Sequence, residues 1–287
     1  MNCKVMLGAL GLSLSVGASA GPVFSSASYN ASTTFKDGAF GTTMGLAFDG
    51  TNYYSANGGG RTSPLVKYDA SGNVLGSLSP TPGIDFRSIF TNSSNELFAR
   101  GCCDSSGGKT IYKQDATFGN FTAYVTLQGP APDFQSAVVL DSSGTEYISR
   151  TDTDVRRWDL NGNALSSVTL NNAGVANAGG YPFDRGIAAA GGYWLTFVNQ
   201  TLYAWDVTGA LVDSTSLAGS GTTFHSGFSY SFANDMFWVV DTANGTWRGY
   251  DVGLTNDNGN AVPLPGTLPL ALLGLVAVAS VRRRKAA

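Results

Sequence analysis

Groups that most catalytic sites and most helices depend on are scarce in this chain. Its 287 residues include one histidine (His225), two glutamates (Glu96 and Glu146) and three cysteines, and 13% are charged. A single histidine excludes a His-rich zinc centre and leaves a Ser-His-Asp triad possible only through His225. No Gly-x-Ser-x-Gly elbow occurs; Ser220, flanked by Gly219 and Gly221, is the nearest approach. The shortage of Glu, beside 37 Gly and abundant Ser, Thr, Asn, Tyr and Phe, excludes a helical protein, because solvated helix faces draw on Glu, Lys, Gln, Ala and Leu. A hydrophobic content of 43% over this length excludes disorder and supports a sizeable core. The expected class is all-β and rich in turns.

Positive charge is scarce too, except at the ends. Lys4, Arg282, Arg283, Arg284 and Lys285 lie in the terminal segments, which leaves 12 basic against 20 acidic residues between them, a net −8. That body has no block of Lys or Arg, and its field repels phosphate backbones, so no nucleic-acid partner is expected.

Both ends read as addresses. In residues 1–20, Lys4 supplies a positive start, 5–16 are largely apolar, and Ala18-Ser19-Ala20 fits a small-x-small cleavage site, which predicts a signal helix removed to leave Gly21 first. Cys3 precedes the apolar run and does not fit a lipobox. At the other end, Val262-Pro263-Leu264-Pro265-Gly266-Thr267 precedes the uncharged stretch 268–281 and then Arg282-Arg283-Arg284-Lys285. These residues resemble the PEP-CTERM sorting signal of Gram-negative bacteria: a Pro-rich motif, one apolar helix and a terminal Arg cluster. Leu264 stands where the usual motif has Glu, as in the Val-Pro-Leu-Pro variant. The resemblance covers 262–287 and implies an exosortase-type processing enzyme, a transient stay in the inner membrane, and delivery to the cell surface or extracellular matrix of a polysaccharide-producing host. The 14 residues of 268–281 span about 21 Å as a helix, short of the roughly 30 Å hydrocarbon core, and the residues back to Pro263 nearly close the gap as a transmembrane helix. The basic cluster would stay cytoplasmic. The alternative is a permanent tail anchor.

The body, 21–252, carries a period. An aromatic residue, usually followed by Asp, recurs at Tyr68, Tyr112, Trp158, Trp205 and Tyr250, at spacings of 44, 46, 47 and 45 residues. That period matches a four-stranded propeller blade. Each unit opens with an inner-strand run (46–48, 89–90, 137–140, 187–190, 227–231), then a second strand (53–56, 96–99, 146–149, 193–198, 236–240), then the aromatic strand. After it, Asp69-Ala70-Ser71-Gly72, Asp159-Leu160-Asn161-Gly162 and Asp206-Val207-Thr208-Gly209 place an amide-capping carboxylate three residues before a glycine suited to the left-handed conformation. Asp115 to Gly119 has one residue more, which predicts a longer loop. The fifth unit ends after its third strand near Val252 and enters the polar linker 253–261, whereas 24–35 at the start is strand-like. An N-terminal strand completing the last blade predicts a five-bladed β-propeller with no free sheet edge. The body resembles bacterial propellers of the WD-like and NHL-like kind, with Trp158-Asp159 and Trp205-Asp206 as literal Trp-Asp pairs and no Gly-His signature. A β-sandwich or stacked sheets is the alternative.

Aligning the repeats places Met44, Arg87, Gln135, Arg185 and His225 at the entry to successive inner strands, with Asp85, Asp133 and Asp184 just before three of them. Arg87, Gln135, Arg185 and His225 are the candidate ligand ring, because guanidinium forks match carboxylate or sugar oxygens. Equally, Arg87 and Arg185 would neutralise those aspartates. Cys102 and Cys103 are adjacent, and in an oxidising compartment a vicinal bridge is expected, with pairing between chains as the alternative. Asp152-Thr153-Asp154 reads as a hairpin turn. No cofactor is required by the leading reading, an exported, non-enzymatic propeller binding an extracellular polysaccharide or a surface protein. The alternative is a secreted calcium-dependent propeller hydrolase or lactonase, in which Ca²⁺ would need carboxylates such as Glu96 and Glu146 at the channel mouth.

Overall fold

A computed structural model describes residues 22–39, 42–102, 104–172, 185–221 and 230–255. Twenty-one strands appear there. The N-terminal segment forms β1 (Ser28–Asn30) and β2 (Thr33–Lys36). Blade one is β3 (Thr43–Phe48), β4 (Tyr53–Asn57), β5 (Leu65–Tyr68) and β6 (Val74–Leu78); blade two is β7 (Asp85–Thr91), β8 (Leu97–Cys102), β9 (Thr110–Gln114) and β10 (Phe121–Thr126). Blade three is β11 (Val138–Leu140), β12 (Glu146–Thr151), β13 (Asp154–Asp159) and β14 (Val168–Thr169); blade four is β15 (Ala188–Ala190), β16 (Tyr193–Val198), β17 (Thr201–Trp205) and β18 (Leu211–Ala218). Blade five contributes β19 (Tyr230–Ala233), β20 (Met236–Asp241) and β21 (Thr246–Tyr250), and β2 completes it as an antiparallel fourth strand.

The fold is therefore an all-β, five-bladed β-propeller. The single closing strand expected from 24–35 is two strands: β2 closes blade five, and β1 adds a fifth, parallel strand outside β18 of blade four. The break comes at Ala31-Ser32, where the Ser32 amide donates to the Gly249 carbonyl (2.8 Å) and the chain turns from one blade to the next. Linker residues 256–261, the sorting segment, residues 1–20, His225 and Cys103 lie outside the described residues.

Five apolar clusters hold the ring, one in each gap between neighbouring blades. Second strands are sandwiched on both faces, and β4, β8 and the last five residues of β20 are buried throughout. That placement explains their near-continuous apolar runs. Outer strands such as β6 and β10 face water and mix polar with apolar residues.

The repeating aromatics sit where this packing needs them. Tyr68, Trp158, Trp205 and Tyr250 are buried, and each polar tip finds a partner. Three reach the preceding blade or its edge: Tyr68 donates to Asp37 (2.9 Å), Trp158 to the Gln128 carbonyl (2.9 Å) and Tyr250 to the Ala218 carbonyl (3.1 Å). Inner strands are stitched by serines, since Ser231 accepts from the Leu46 amide (2.9 Å) and Ser88 donates to the Val138 carbonyl (2.7 Å). They surround a channel with a cavity of about 230 Å³ at the end where the first turn of each blade gathers.

Candidate functional site

At the opposite end, where the chain enters the inner strands, charged side chains collect. Arg87, in β7, is buried and pairs with Asp85 (Nη2 to Oδ2, 3.0 Å). Asp85 also accepts from the Gly59 amide (2.9 Å) and the Cys102 thiol (3.3 Å), so three segments converge on one carboxylate. Gly58 and Met44 cover the Arg87 guanidinium so closely that a Cβ at 58 would not fit. Arg87 is thus a support beneath the mouth.

Arg185 lies nearer the surface. Its Nη1 donates to Asp152 (2.8 Å) and its Nε stands 3.5 Å from Asp133. Its backbone carbonyl accepts from the Ala137 amide (3.1 Å), which ties the entry to blade four to the entry to blade three. Gln135, half-buried, is fixed by its amide donating to Asp133 Oδ1 (2.8 Å). The structure thus brings Gln135 and Arg185 together around Asp133 and places Arg87 below. His225 and Asp184 are outside the described residues. Cys102 ends β8 and is buried; its expected bridge to Cys103 involves a residue outside them.

Sequence alignment of the inner strands missed three residues here. Arg100 and Arg150, in β8 and β12, are fully buried at the same mouth. Arg100 donates from Nε to the Gly108 carbonyl (2.9 Å) and from Nη1 to the carbonyls of Phe134 (3.2 Å) and Ser136 (2.9 Å). Burial pulls its pKa down to about 10, which leaves a cation at neutral pH. Arg150 donates to the Asp152 carbonyl (2.9 Å). A signal existed for both: Glu96-Leu-Phe-Ala-Arg100 and Glu146-Tyr-Ile-Ser-Arg150 share one pattern in consecutive second strands. The third, Phe134, is 53% exposed beside Gln135, and its only sequence mark is its place in the entry segment.

The glutamates serve the blades rather than the mouth. Glu96 accepts from Lys113 (2.6 Å), and the bonds of Lys113 and Asn92 hold its pKa below the usual range. Glu146 takes both forks of Arg157 (2.7 Å each), a bidentate pair. Asp152 and Thr153 turn the chain between β12 and β13, as the sequence suggested. Among the described residues no three His, Cys, Asp or Glu side chains gather as a metal would need.

Fold and mouth together define a five-bladed propeller with an arginine-supported channel entrance. No protein-family model and no curated protein matches the chain. Solved structures do: the glutaminyl cyclase of Myxococcus xanthus superposes with a TM-score of 0.55 at 10% identity, over 78% of this chain and 97% of that one. A streptogramin B lyase is similar at a TM-score of 0.42 and 13% identity, over 76% and 85% of the two chains. At these identities the likeness concerns the fold alone.

Proposed function

We propose that the chain is an exported, non-enzymatic propeller whose entrance mouth binds an acidic glycan or a surface protein. In this reading residues 1–20 direct export. Residues 262–287, with Val262, Pro263, Leu264, Pro265 and the cluster Arg282, Arg283 and Arg284, form a PEP-CTERM-like signal and transmembrane helix for an exosortase-type enzyme. The observation that carries the binding reading is the exposed Phe134 ring, set in the chain between Gln135 and Asp133, the carboxylate that Arg185 approaches at 3.5 Å. An aromatic face, a carboxamide and a guanidinium suit a sugar ring bearing a carboxylate. Asp152, the strongest partner of Arg185, has a side chain 60% exposed. The Arg185 side chain is 13% exposed, so a ligand carboxylate would replace Asp152 from its open side, at a guanidinium already held for carboxylates. The engagement of Glu96 and Glu146 within their blades supports a binder over a calcium-dependent hydrolase.

Titrating the full chain in mild detergent with polygalacturonate and alginate tests the mouth. Phe134→Ala and Arg185→Ala are each expected to weaken binding about tenfold, equivalent to about 1.4 kcal/mol. Unchanged affinity in both variants would remove the mouth from the function. A calcium-dependent rise in Tm with ester or lactone hydrolysis would favour the hydrolase. Fractionation of the producing cell tests sorting: the mature chain should lack the residues beyond about 265, whereas full-length protein in the inner membrane would leave a tail-anchored propeller.

A further inference from the structure

The far end of the channel is chemically unlike the mouth. Its cavity of about 230 Å³ has an apolar floor of Leu46, Ile89, Val139, Ala189 and Phe232, drawn from the inner strands of all five blades. Around the rim stand Asn92, Asn95, Asp141, Ser142, Asn234 and Asp235, from the turns that follow those strands. Among the described residues lining it there is no Lys, Arg or His.

Which rim groups are open decides what fits. Asp141 is spent on its own turn: Oδ1 accepts from the amides of Thr145 (2.8 Å) and Glu146 (2.9 Å), and Oδ2 from the Ser143 hydroxyl. Asn92 is spent likewise, on the amides of Ser94 and Glu96 and on the Glu96 carboxylate. Asp235 is engaged as well. Open groups are neutral. Nothing among the described residues hydrogen-bonds the Asn95 carboxamide, and Asn234 uses its Nδ2 on Tyr53 (2.6 Å) while keeping Oδ1 available. Both asparagines sit at positive φ, 61° and 52°, a conformation that Asn tolerates better than other side chains and that fixes the carboxamides on the rim.

We propose that this cup is a second binding site, for one neutral, hydroxyl-bearing ring such as a terminal hexose of a glycan. A pyranose has apolar C–H faces to lie on the floor and hydroxyls to meet amide donors and acceptors at the rim. Anionic ligands find no cation there among the described residues, and the rim carboxylates Asp141 and Asp235 already have partners. The cup is independent of the mouth, which takes acidic groups at the other end of the channel.

Saturation-transfer NMR on the full chain in mild detergent, with glucose, galactose, N-acetylglucosamine and glucuronate as probes, tests it. At least one neutral sugar should show transfer that glucuronate does not, and saturating polygalacturonate should leave the signal in place. The double variant Asn95→Gly/Asn234→Gly removes both carboxamides while keeping positive φ permissible, and should weaken binding at least tenfold with Tm little changed. Should that variant fold poorly, Ala189→Val narrows the floor and should reduce binding in the same way. The proposal is overturned if no neutral sugar binds, if glucuronate binds equally, if the acidic polymer displaces the sugar, or if the folded variants bind like the parent.

Discussion

Arg100 is a full charge in the protein interior with no carboxylate in hydrogen-bond contact. Its Nε and Nη1 bind three carbonyls from two separate segments, the Gly107-Gly108 loop of blade two and the entry to blade three. The planar fork makes this possible, and a lysine ammonium, a point charge on a flexible stem, does not reproduce it. Arg100→Lys is therefore expected to strand two of those acceptors and cost about 2–4 kcal/mol. In a domain of this size that lowers Tm by roughly 5–15 °C, measurable by calorimetry; an unchanged Tm would mean that the carbonyls are satisfied without the guanidinium. The pattern shared by 96–100 and 146–150 marked Arg100 and Arg150 as equivalent in the sequence. Their burial was not legible, because charge and exposure go together in single-sequence reasoning and only the partners override that rule. Arg87 shows the converse. Its position at the mouth was legible, but its cover by Gly58 and Met44, residues of another blade, was not.

Blade hairpins show why so much of the element pattern could be read in advance. In the turns at Asp69, Asp159 and Asp206 the carboxylate accepts the amides two and four residues on, at 2.8 to 3.0 Å, and the glycine three residues on has φ near 83°. All of this is contained in five consecutive residues. The longer loop at Asp115 is equally local, closing one residue later onto Asn120 (3.0 Å). What lay beyond the sequence is the use made of those glycines. The carbonyls of Gly119, Gly162 and Gly209 accept from Thr81, Gln128 and Asn171 of the preceding blade at 2.7 to 2.8 Å, and a Cβ on Gly162 would come within 2.6 Å of the Thr126 carbonyl. The capping bonds also contribute to the acid limit of the fold. Asn73 and Asn163 hold Asp69 and Asp159 below the usual carboxylate range; for Asp206, burial pushes the pKa up and the bonds from Thr208, Ala210 and Gly209 outweigh it. Because the folded pKa values are depressed, this stabilisation is fully present above the unfolded value of about 3.9 and is lost as pH falls through the folded values. Urea midpoints should thus be flat from about pH 7 to 5 and fall below about pH 4. The triple variant Asp69→Asn/Asp159→Asn/Asp206→Asn should flatten the acid limb, and a limb parallel to the parent's would assign acid unfolding to other carboxylates.

Closure belongs to the whole molecule, and the period of the aromatic strands made it legible: five units, the last one strand short, require a strand from elsewhere. That the segment divides between two blades was hidden, since nothing local to 24–35 distinguishes pairing with β18 from pairing with β21. Phe35 carries the closing strand. Its ring lies 5.0 Å from Tyr68 and 5.7 Å from Tyr53 of blade one, and 5.2 Å from Trp238 of blade five, so it bridges the last gap of the ring. Phe86 is a matched control, fully buried against Phe121 at 5.1 Å in the gap between blades one and two. Either residue replaced by Ala should cost about 3–5 kcal/mol. The consequences should differ in kind. Phe35→Ala frees β2 from its clamp, bares the edge of β21 and offers it to the β2 of a second molecule, because an unpaired edge is a template for pairing. Hydrogen exchange in Thr246–Tyr250 should then accelerate ahead of the other blades, and concentrated protein should form dimers on gel filtration. Phe86→Ala leaves the ring closed and should quicken exchange without that bias. If both variants exchange uniformly and stay monomeric, the ring opens cooperatively and the terminal strand is no weaker than any other seam.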